Sequence, residues 1–266
     1  MILPFTKCHA NGNDFILTLA DDFPKETRSV EIIRRLCCRY TGIGANGLFI
    51  VSPSNEYDFM LDYYNSDGSW ETLCANGSRC AVQFMYQSGC IENKTVFLAG
   101  DGPHLAKILE NGAVCMQMKT PEYQSSLLSP EGFNGYFIDS GARHFVSESV
   151  ILEDDFVSNA GRKIRYSHIF QPEGMNVNFY RLIDKHLVEV KTYEKGIEEV
   201  MLSCSSGSAA VVFHLAKNKC VQSPVIVSST GGSVTVNFDK TWSDVWMEGP
   251  AEIVFTGHFT LDEISK

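Results

Sequence analysis

No run of apolar residues in this 266-residue chain is long enough to cross a membrane. There is no cationic leader with an apolar core and a small-residue cleavage site either, so a cytoplasmic protein is expected. Positive charge is in short supply: 22 Lys and Arg against 32 Asp and Glu leave a net charge of −10, which disfavours nucleic acid or an anionic membrane surface as a partner. The nine cysteines contain no Cys-x-x-Cys pair with a histidine pattern nearby, so a metal centre is not expected. An odd number of cysteines without an export signal reads as reduced intracellular thiols rather than a disulfide framework. What remains open is a small-molecule partner, which an acidic protein can hold through local backbone amides.

With 44% apolar residues the chain can bury a sizeable core, in one domain or in two of about 130 residues. Its most informative stretch is Asn65-Ser66-Asp67-Gly68-Ser69, followed by Cys74-Ala75-Asn76-Gly77-Ser78-Arg79-Cys80 and the apolar run Ala81 to Tyr86. Turn residues give way to a thiol and then to helix formers, which predicts a loop ending at Cys74 on the first turn of a helix. The amide N–H groups and positive dipole end there favour a thiolate and would also bind a carboxylate.

This stretch has a twin. Cys204-Ser205-Ser206-Gly207-Ser208 repeats its outline, with Cys74/Cys204, Gly77/Gly207, Ser78/Ser208 and Val82/Val212 all 130 residues apart. The same offset relates Gly44-Ala45-Asn46 to Gly174-Met175-Asn176, Phe15 to Phe145, Phe49 to Phe179 and Tyr63 to Tyr193. One offset serving so many places argues for a duplicated fold. If the halves face each other about a pseudo-twofold axis, two cysteines on two helix starts meet across one cleft.

Along the chain, Phe15–Leu19, Leu48–Val51 and the alternating Phe59, Leu61 and Tyr63 read as strands. Ser29 is placed to cap a helix through about Tyr40, with Val30, Ile33, Leu36 and Cys37 as its apolar stripe. Leu105–Leu109, Asn111-Gly112 and Val114–Met118 read as a hairpin with a type I′ turn. The Pro/Ser-rich stretch from Thr120 to Asn134 reads as the joint between halves. Further strands are expected near Phe137, Phe145, Val177–Ile183, Leu187–Tyr193, Val225–Val227, Val234–Phe238 and Ile253–Phe255. The two cysteine-led helices are apolar almost all round, especially Ala209 to Ala216, and so should be buried on every side. The expected architecture is α/β (α+β): two pseudo-symmetric domains from an internal duplication, 1–119 and 120–255, each a mixed or antiparallel sheet wrapped around a central helix. The last strand, about 256–266, is a candidate to join the first domain.

Several motifs have plainer readings. Gly42-Ile43-Gly44-Ala45-Asn46-Gly47 matches a dinucleotide fingerprint, but a helix precedes it and a strand follows, the reverse of a phosphate-binding turn. It reads as a helix-to-strand turn. Cys37, Cys38, Cys90, Cys115 and Cys220 read as inert packing, as does Cys80 inside its helix. His9 and His144 lie near turn clusters and read as satisfied structural imidazoles. Asn13, Asn65 and Asn176 either shape loops or hold the ammonium and carboxylate groups of a substrate, and spacing leaves the two even.

Lys7-Cys8-His9-Ala10-Asn11-Gly12-Asn13-Asp14-Phe15, Asn65-x-Asp67-Gly68-Ser69, Cys74-x-Asn76-Gly77-x-Arg79-Cys80 and Cys204-x-x-Gly207 resemble the signature blocks of the diaminopimelate epimerase family, in order along nearly the whole chain. The resemblance implies two pseudo-symmetric α/β domains with the active site between them. It implies epimerisation of L,L- to meso-diaminopimelate, a step toward lysine and peptidoglycan precursors, without a cofactor. On it, Cys74 and Cys204 are the catalytic pair, and Asn13, Asn65 and Asn176 are substrate-binding asparagines. Glu194 is the acidic substrate contact, followed by Lys195, while Ala75-Asn76 and Ser205-Ser206 supply backbone donors to the α-carboxylate. It also implies a homodimer, for which no interface pattern stands out.

The chemistry suits these residues. An α-proton next to a carboxylate is weakly acidic, so two helix starts aimed at the carboxylate would stabilise the developing charge. One cysteine must be a thiolate to take the proton and the other a thiol to give one to the opposite face. No motif calls for a pyridoxal lysine.

Departures from the family pattern cluster in the second half. Its Gly-Asn-Pro-His block is Gly141-Ala142-Arg143-His144 here, its Glu-Arg pair is Glu194-Lys195, and the segment from Glu194 to Cys204 is one residue longer. Ser205-Ser206 replaces Gly followed by Thr or Ser. First-half chemistry is expected intact, with the substrate's far end gripped differently, Arg143 a candidate replacement contact and glutamate a candidate secondary substrate. The rival readings are a proline- or hydroxyproline-type racemase of the same fold and, in another class, an inactive amino-acid-binding protein. Retention of both thiols weighs against the latter.

Overall fold

The computed structural model describes residues 2–261. The chain forms two compact units, one of the described residues within Met1–Met116 and Pro250–Lys266, the other Gln117–Gly249. Both mix strands with a few helices, an α+β fold.

The first unit runs β1 (Ile2–Ala10), β2 (Asn13–Leu19), α1 (Val30–Cys37), β3 (Gly47–Ser52), β4 (Phe59–Asn65), β5 (Trp70–Glu71), α2 (Ala75–Gln87), β6 (Lys94–Ala99), β7 (Gly102–Ile108) and β8 (Val114–Gln117). The second runs β9 (Glu122–Tyr123), β10 (Tyr136–Asp139), β11 (Arg143–Glu148), α3 (Asp154–Arg165), β12 (Asn176–Asp184), β13 (Leu187–Tyr193), β14 (Val200–Met201), α4 (Ser205–Lys217), β15 (Val225–Ser229), β16 (Gly232–Phe238) and β17 (Val245–Gly249). The chain then returns to the first unit as β18 (Glu252–Thr260), antiparallel to β1 from Ile2↔Thr260 to His9↔Glu252.

Strand pairing repeats from unit to unit. β2 runs parallel to β3 with Phe15 opposite Gly47, and β11 parallel to β12 with Phe145 opposite Val177, the same pair displaced by 130 residues. The parallel pair β4 and β6 has its counterpart in β13 and β15. Phe15, Phe145, Phe49 and Phe179 are all buried, each worth on the order of 2 kcal/mol in apolar area removed from water. In the first unit α2 lies against β1, β2, β3 and β18; in the second, α4 lies against β11, β12, β13, β15 and β16. A helix covered by sheet on several sides has little use for a polar face, which is why residues 209–213 of α4 are all buried.

The structure corrects several expectations. α1 stops at Cys37 instead of Tyr40, where Cys38 turns extended and donates its N–H to the Arg35 carbonyl. Ser29 does cap it, accepting from the Ile32 N–H, but Val30 is 47% exposed and outside the apolar stripe. The turn at Asn111-Gly112 is not type I′: only Gly112 has positive φ, and the Leu109–Ala113 pair closes a three-residue loop. A type I′ turn does occur at Asn11-Gly12, where φ is 51° and 77° and Ala10 pairs with Asn13. Thr120–Asn134 is not a joint but part of the second unit, with β9 paired to β10. Cys90 is exposed and Cys38 and Cys220 are partly exposed, so these three are not core packing; Cys37, Cys80 and Cys115 are buried. The expected last strand begins at Glu252; the part of it placed at 262–266 lies outside the described residues.

Candidate active site

In the first unit Cys74 is the residue at which extended chain becomes α2. Its backbone is non-helical (φ −133°, ψ 110°), its carbonyl accepts the Ser78 N–H at 2.8 Å, and its thiol makes no capping bond to the first turn. The first-turn N–H groups of such a helix, those of Ala75 and Asn76 among them, point outward past the cap. Gly77 sets how deeply this end sits, since a Cβ there would lie 1.9 Å from the Phe49 ring. The type I′ turn brings two more site asparagines to the helix. Asn76 Nδ2 donates to Asn13 Oδ1 at 3.1 Å, and Arg79 Nη2 donates to Asn76 Oδ1 at 2.8 Å and Asn11 Oδ1 at 3.3 Å. Arg79 also reaches the Ala75 carbonyl at 3.4 Å and is fully buried, which pulls its guanidinium down to about 10.

Asp14, beside Asn13, is anchored by Lys7 at 2.6 Å and by Arg39 at 2.8 Å. Burial alone would raise its carboxyl, but those two cations outweigh burial and hold it below its usual value. Asn65 ends β4, accepting from the Tyr63 hydroxyl at 2.6 Å and donating to Ser69 Oγ at 3.3 Å. Cys80 faces inward; burial and a hydrogen bond with the Cys8 thiol push its own thiol well up, as expected of packing. The Gly42–Gly47 run is a turn from α1 to β3, with the site of a Gly42 Cβ 1.9 Å from the Arg35 carbonyl oxygen, not a phosphate cradle.

The second unit repeats the geometry with different chemistry. Cys204 caps α4 at φ −132° and ψ 109°, within a degree of Cys74, and its carbonyl accepts the Ser208 N–H at 2.9 Å. Around it stands a polar relay. Thr192 donates to Asn178 Oδ1 at 2.8 Å, which fixes the amide so that its Nδ2 donates to His144 Nδ1 at 3.0 Å. Burial drives His144 down to about 3, so the ring is neutral and Nε2–H donates to Ser206 Oγ at 2.9 Å. Ser206 Oγ lies 3.6 Å from Cys204 Sγ with its hydroxyl proton free to donate. Against the same sulfur stands Glu194; burial first and this carboxylate second push the Cys204 thiol well up.

Asn176 does not reach the thiol through any of these bonds. It accepts the Lys195 N–H at 2.8 Å and so fixes the chain next to Glu194. After Glu194 the chain makes a tight loop, with Glu198 left-handed at φ 61° and tied to Arg165 at 3.2 Å. Arg143 turns to Glu173 at 3.4 Å and lies 5.1 Å over the Phe137 ring; Ala142 sits in the adjoining turn, its carbonyl accepting from the Ser140 N–H at 3.1 Å. His9 places Nε2 3.7 Å from Glu252. Among the described residues no three His, Cys, Asp or Glu side chains converge as a metal site.

Sequence reasoning missed Arg79 and Asn178. Asn178 had a signal: at the 130-residue offset its counterpart is Leu48, so one polar residue replaces an apolar one in a core strand.

Solved structures place the chain in a class of fold. A hydroxyproline epimerase from Agrobacterium vitis is similar at a TM-score of 0.79 and 14% identity, covering 99% of this chain and 92% of its own. A PhzF-family phenazine biosynthesis protein from Bacillus anthracis is similar at 0.78 and 14%, covering 98% and 100%. Sequence narrows this further. Residues 5–123 match the family described as diaminopimelate epimerase. The diaminopimelate epimerase of Flavobacterium psychrophilum is 36% identical over 255 residues, covering 94% of this chain and 97% of its own, and that of Aquifex aeolicus is 34% identical over 273 residues, covering 97% and 98%. The chain belongs to the diaminopimelate epimerase family, and is an isomerase.

Proposed function

We propose that this enzyme epimerises L,L-diaminopimelate to the meso form by a two-base thiolate/thiol mechanism without pyridoxal phosphate. The observation that carries the reading is the repeated helix start. Two cysteines at an offset of 130 residues cap two buried helices with the same backbone angles, each ahead of outward-pointing amides. On this reading Cys74 and Cys204 act on one substrate α-carbon, and Ala75, Asn76, Ser205 and Ser206 offer N–H donors to its carboxylate. As the thiolate removes the α-hydrogen as a proton, negative charge grows on that carboxylate, where preorganised donors lower the barrier. The thiol then gives its proton to the opposite face. One proton enters a sulfur, one leaves the other, and the thiolate has changed sides. On this reading a second thiolate at the same carbon would be repelled by the first, so the pair titrates as a unit.

Asn13, Asn65 and Asn176 hold the α-amino and distal groups, and Glu194 receives the ammonium. Arg143 and Lys195 serve the distal carboxylate in place of an asparagine at Ala142, with glutamate accepted as a slower second substrate. On the same reading the enzyme is a cytoplasmic homodimer.

Chiral chromatography of L,L-diaminopimelate incubated with reduced enzyme, without pyridoxal phosphate, tests this. The meso isomer should accumulate toward equilibrium, with slower racemisation of glutamate. Turnover of proline instead would assign the racemase reading. No turnover of any of the three, with both thiols titrating free, would leave an amino-acid-binding protein.

A further inference from the structure

The two helix starts share a backbone and differ in what lies beneath the cysteine. In α2 the fifth residue after the thiol is Arg79, fully buried and tied to the first turn through Ala75 and Asn76. At the same offset α4 has Ala209, buried and uncharged. Facing Cys204 instead is Glu194, whose carboxylate accepts a hydrogen bond from the thiol. We propose that Arg79 is a positioning residue that holds Cys74 as the thiolate in the free enzyme, while Glu194 holds Cys204 as the thiol. This rests on the two-thiol reading above and adds which half of the pair carries the charge before substrate arrives.

The charges on the strands packed against each helix are engaged elsewhere. On the strands against α2, Lys7 and Asp14 hold each other, His9 faces Glu252, His258 lines a groove with Phe5 and Phe84, and Cys8 acts on Cys80. The thiols of Cys80 and Cys74 are the groups that support the Arg79 charge, and Cys80 is itself held protonated by burial. That leaves Cys74 as the thiol able to answer the cation. On the strands against α4, Arg181 pairs with Glu189, Lys191 with Asp154 and Arg143 with Glu173; Glu148 acts on Tyr180, Asp184 accepts the His186 N–H, and Asp139 acts on His144, which stays neutral. Glu194 is the charged group that acts on Cys204. Turnover starting from this state moves a substrate proton to Cys74 Sγ and the Cys204 proton to the product, and solvent exchange restores the resting form.

Site-resolved alkylation tests the assignment in the full-length, reduced enzyme without substrate. Iodoacetamide is applied across a pH series and the Cys74 and Cys204 peptides are quantified by mass spectrometry. In the wild type Cys74 should react at lower pH than Cys204. In Arg79→Met the Cys74 midpoint should rise by about one pH unit or more without raising that of Cys204, and Arg79→Lys should restore it. A Cys204 midpoint at or below that of Cys74 in the wild type overturns the proposal, as does an unmoved Cys74 midpoint in folded Arg79→Met. Should Arg79→Met not fold, Glu194→Gln serves: a lowered Cys204 midpoint supports the assignment and an unmoved one overturns it. Because no substrate is present, these outcomes are independent of whether the wild type turns over diaminopimelate.

Discussion

The helix starts at Cys74 and Cys204 agree within a degree in backbone angle and disagree in almost every side chain around the sulfur. Near Cys74 lie asparagines and a buried guanidinium; near Cys204 lie a carboxylate, a serine hydroxyl and a neutral histidine. Duplication explains the first fact, because what both copies must keep is the geometry of outward amides ahead of a thiol. On the proposed mechanism, opposite roles in one proton transfer account for the second. A reaction that removes a proton on one face and returns one on the other requires two unlike sites on like frames.

The comparison breaks most severely if one thiol is removed. Cys74→Ser and Cys204→Ser should each lower epimerisation on the order of 10³-fold while circular dichroism stays unchanged, since a positioned acid–base group contributes about 10²–10⁴. A loss confined to one variant would mean that one helix start is a relic of the duplication.

Next in size is the seat of each helix. A Cβ at Gly77 would meet the Phe49 ring at 1.9 Å, and one at Gly207 would meet Asn178 Oδ1 at 2.2 Å. Alanine at either position should cost about 1–3 kcal/mol of stability by overpacking, read as the midpoint of urea unfolding. Activity should fall further in Gly207→Ala than stability does, because Asn178 orients His144.

His144 sharpens the contrast through pH. Its folded value, about 3, is depressed below the unfolded 6.5, so the stability its neutral form supplies is complete above pH 6.5 and is lost as pH falls toward 3. Within that window the unfolded chain binds a proton the native state refuses, a slope of about 1.4 kcal/mol per pH unit. His144→Gln should remove one such slope from unfolding free energies measured between the two values. The first unit has an acidic analogue in Asp14, also depressed, whose contribution lasts until the pH falls below the usual carboxylate range.

Smallest is Arg143→Ala. With the guanidinium engaged by Glu173 and Phe137, its loss should raise KM for diaminopimelate several-fold while leaving kcat, and glutamate turnover, nearly unchanged. Comparable turnover loss on both substrates would argue against a role at the distal end.

Much of this was legible in residues. The 130-residue offset reads the duplication, and the turn chemistry before Cys74 reads its helix start. Less visible was whatever depends on partners far along the chain. The turn at Asn111-Gly112 has the right dipeptide, but its flanking strands pair with three residues between them. α3 hid because it is strongly polar, although its acidic first turn, its basic last turn and the buried Val157, Ala160 and Ile164 trace a helix. Arg79 stood in a signature block with no role of its own; only three-dimensional packing makes it a buried cation under the helix start.

The most direct test of two unlike thiols acting on one carbon is the isotope pattern early in turnover of L,L-diaminopimelate in D2O. The account predicts meso product carrying deuterium at the inverted carbon while recovered L,L substrate retains its protium. Product that keeps the substrate's own proton, or substrate and product labelled at equal rates, would mean a single base serving both faces and would contradict it.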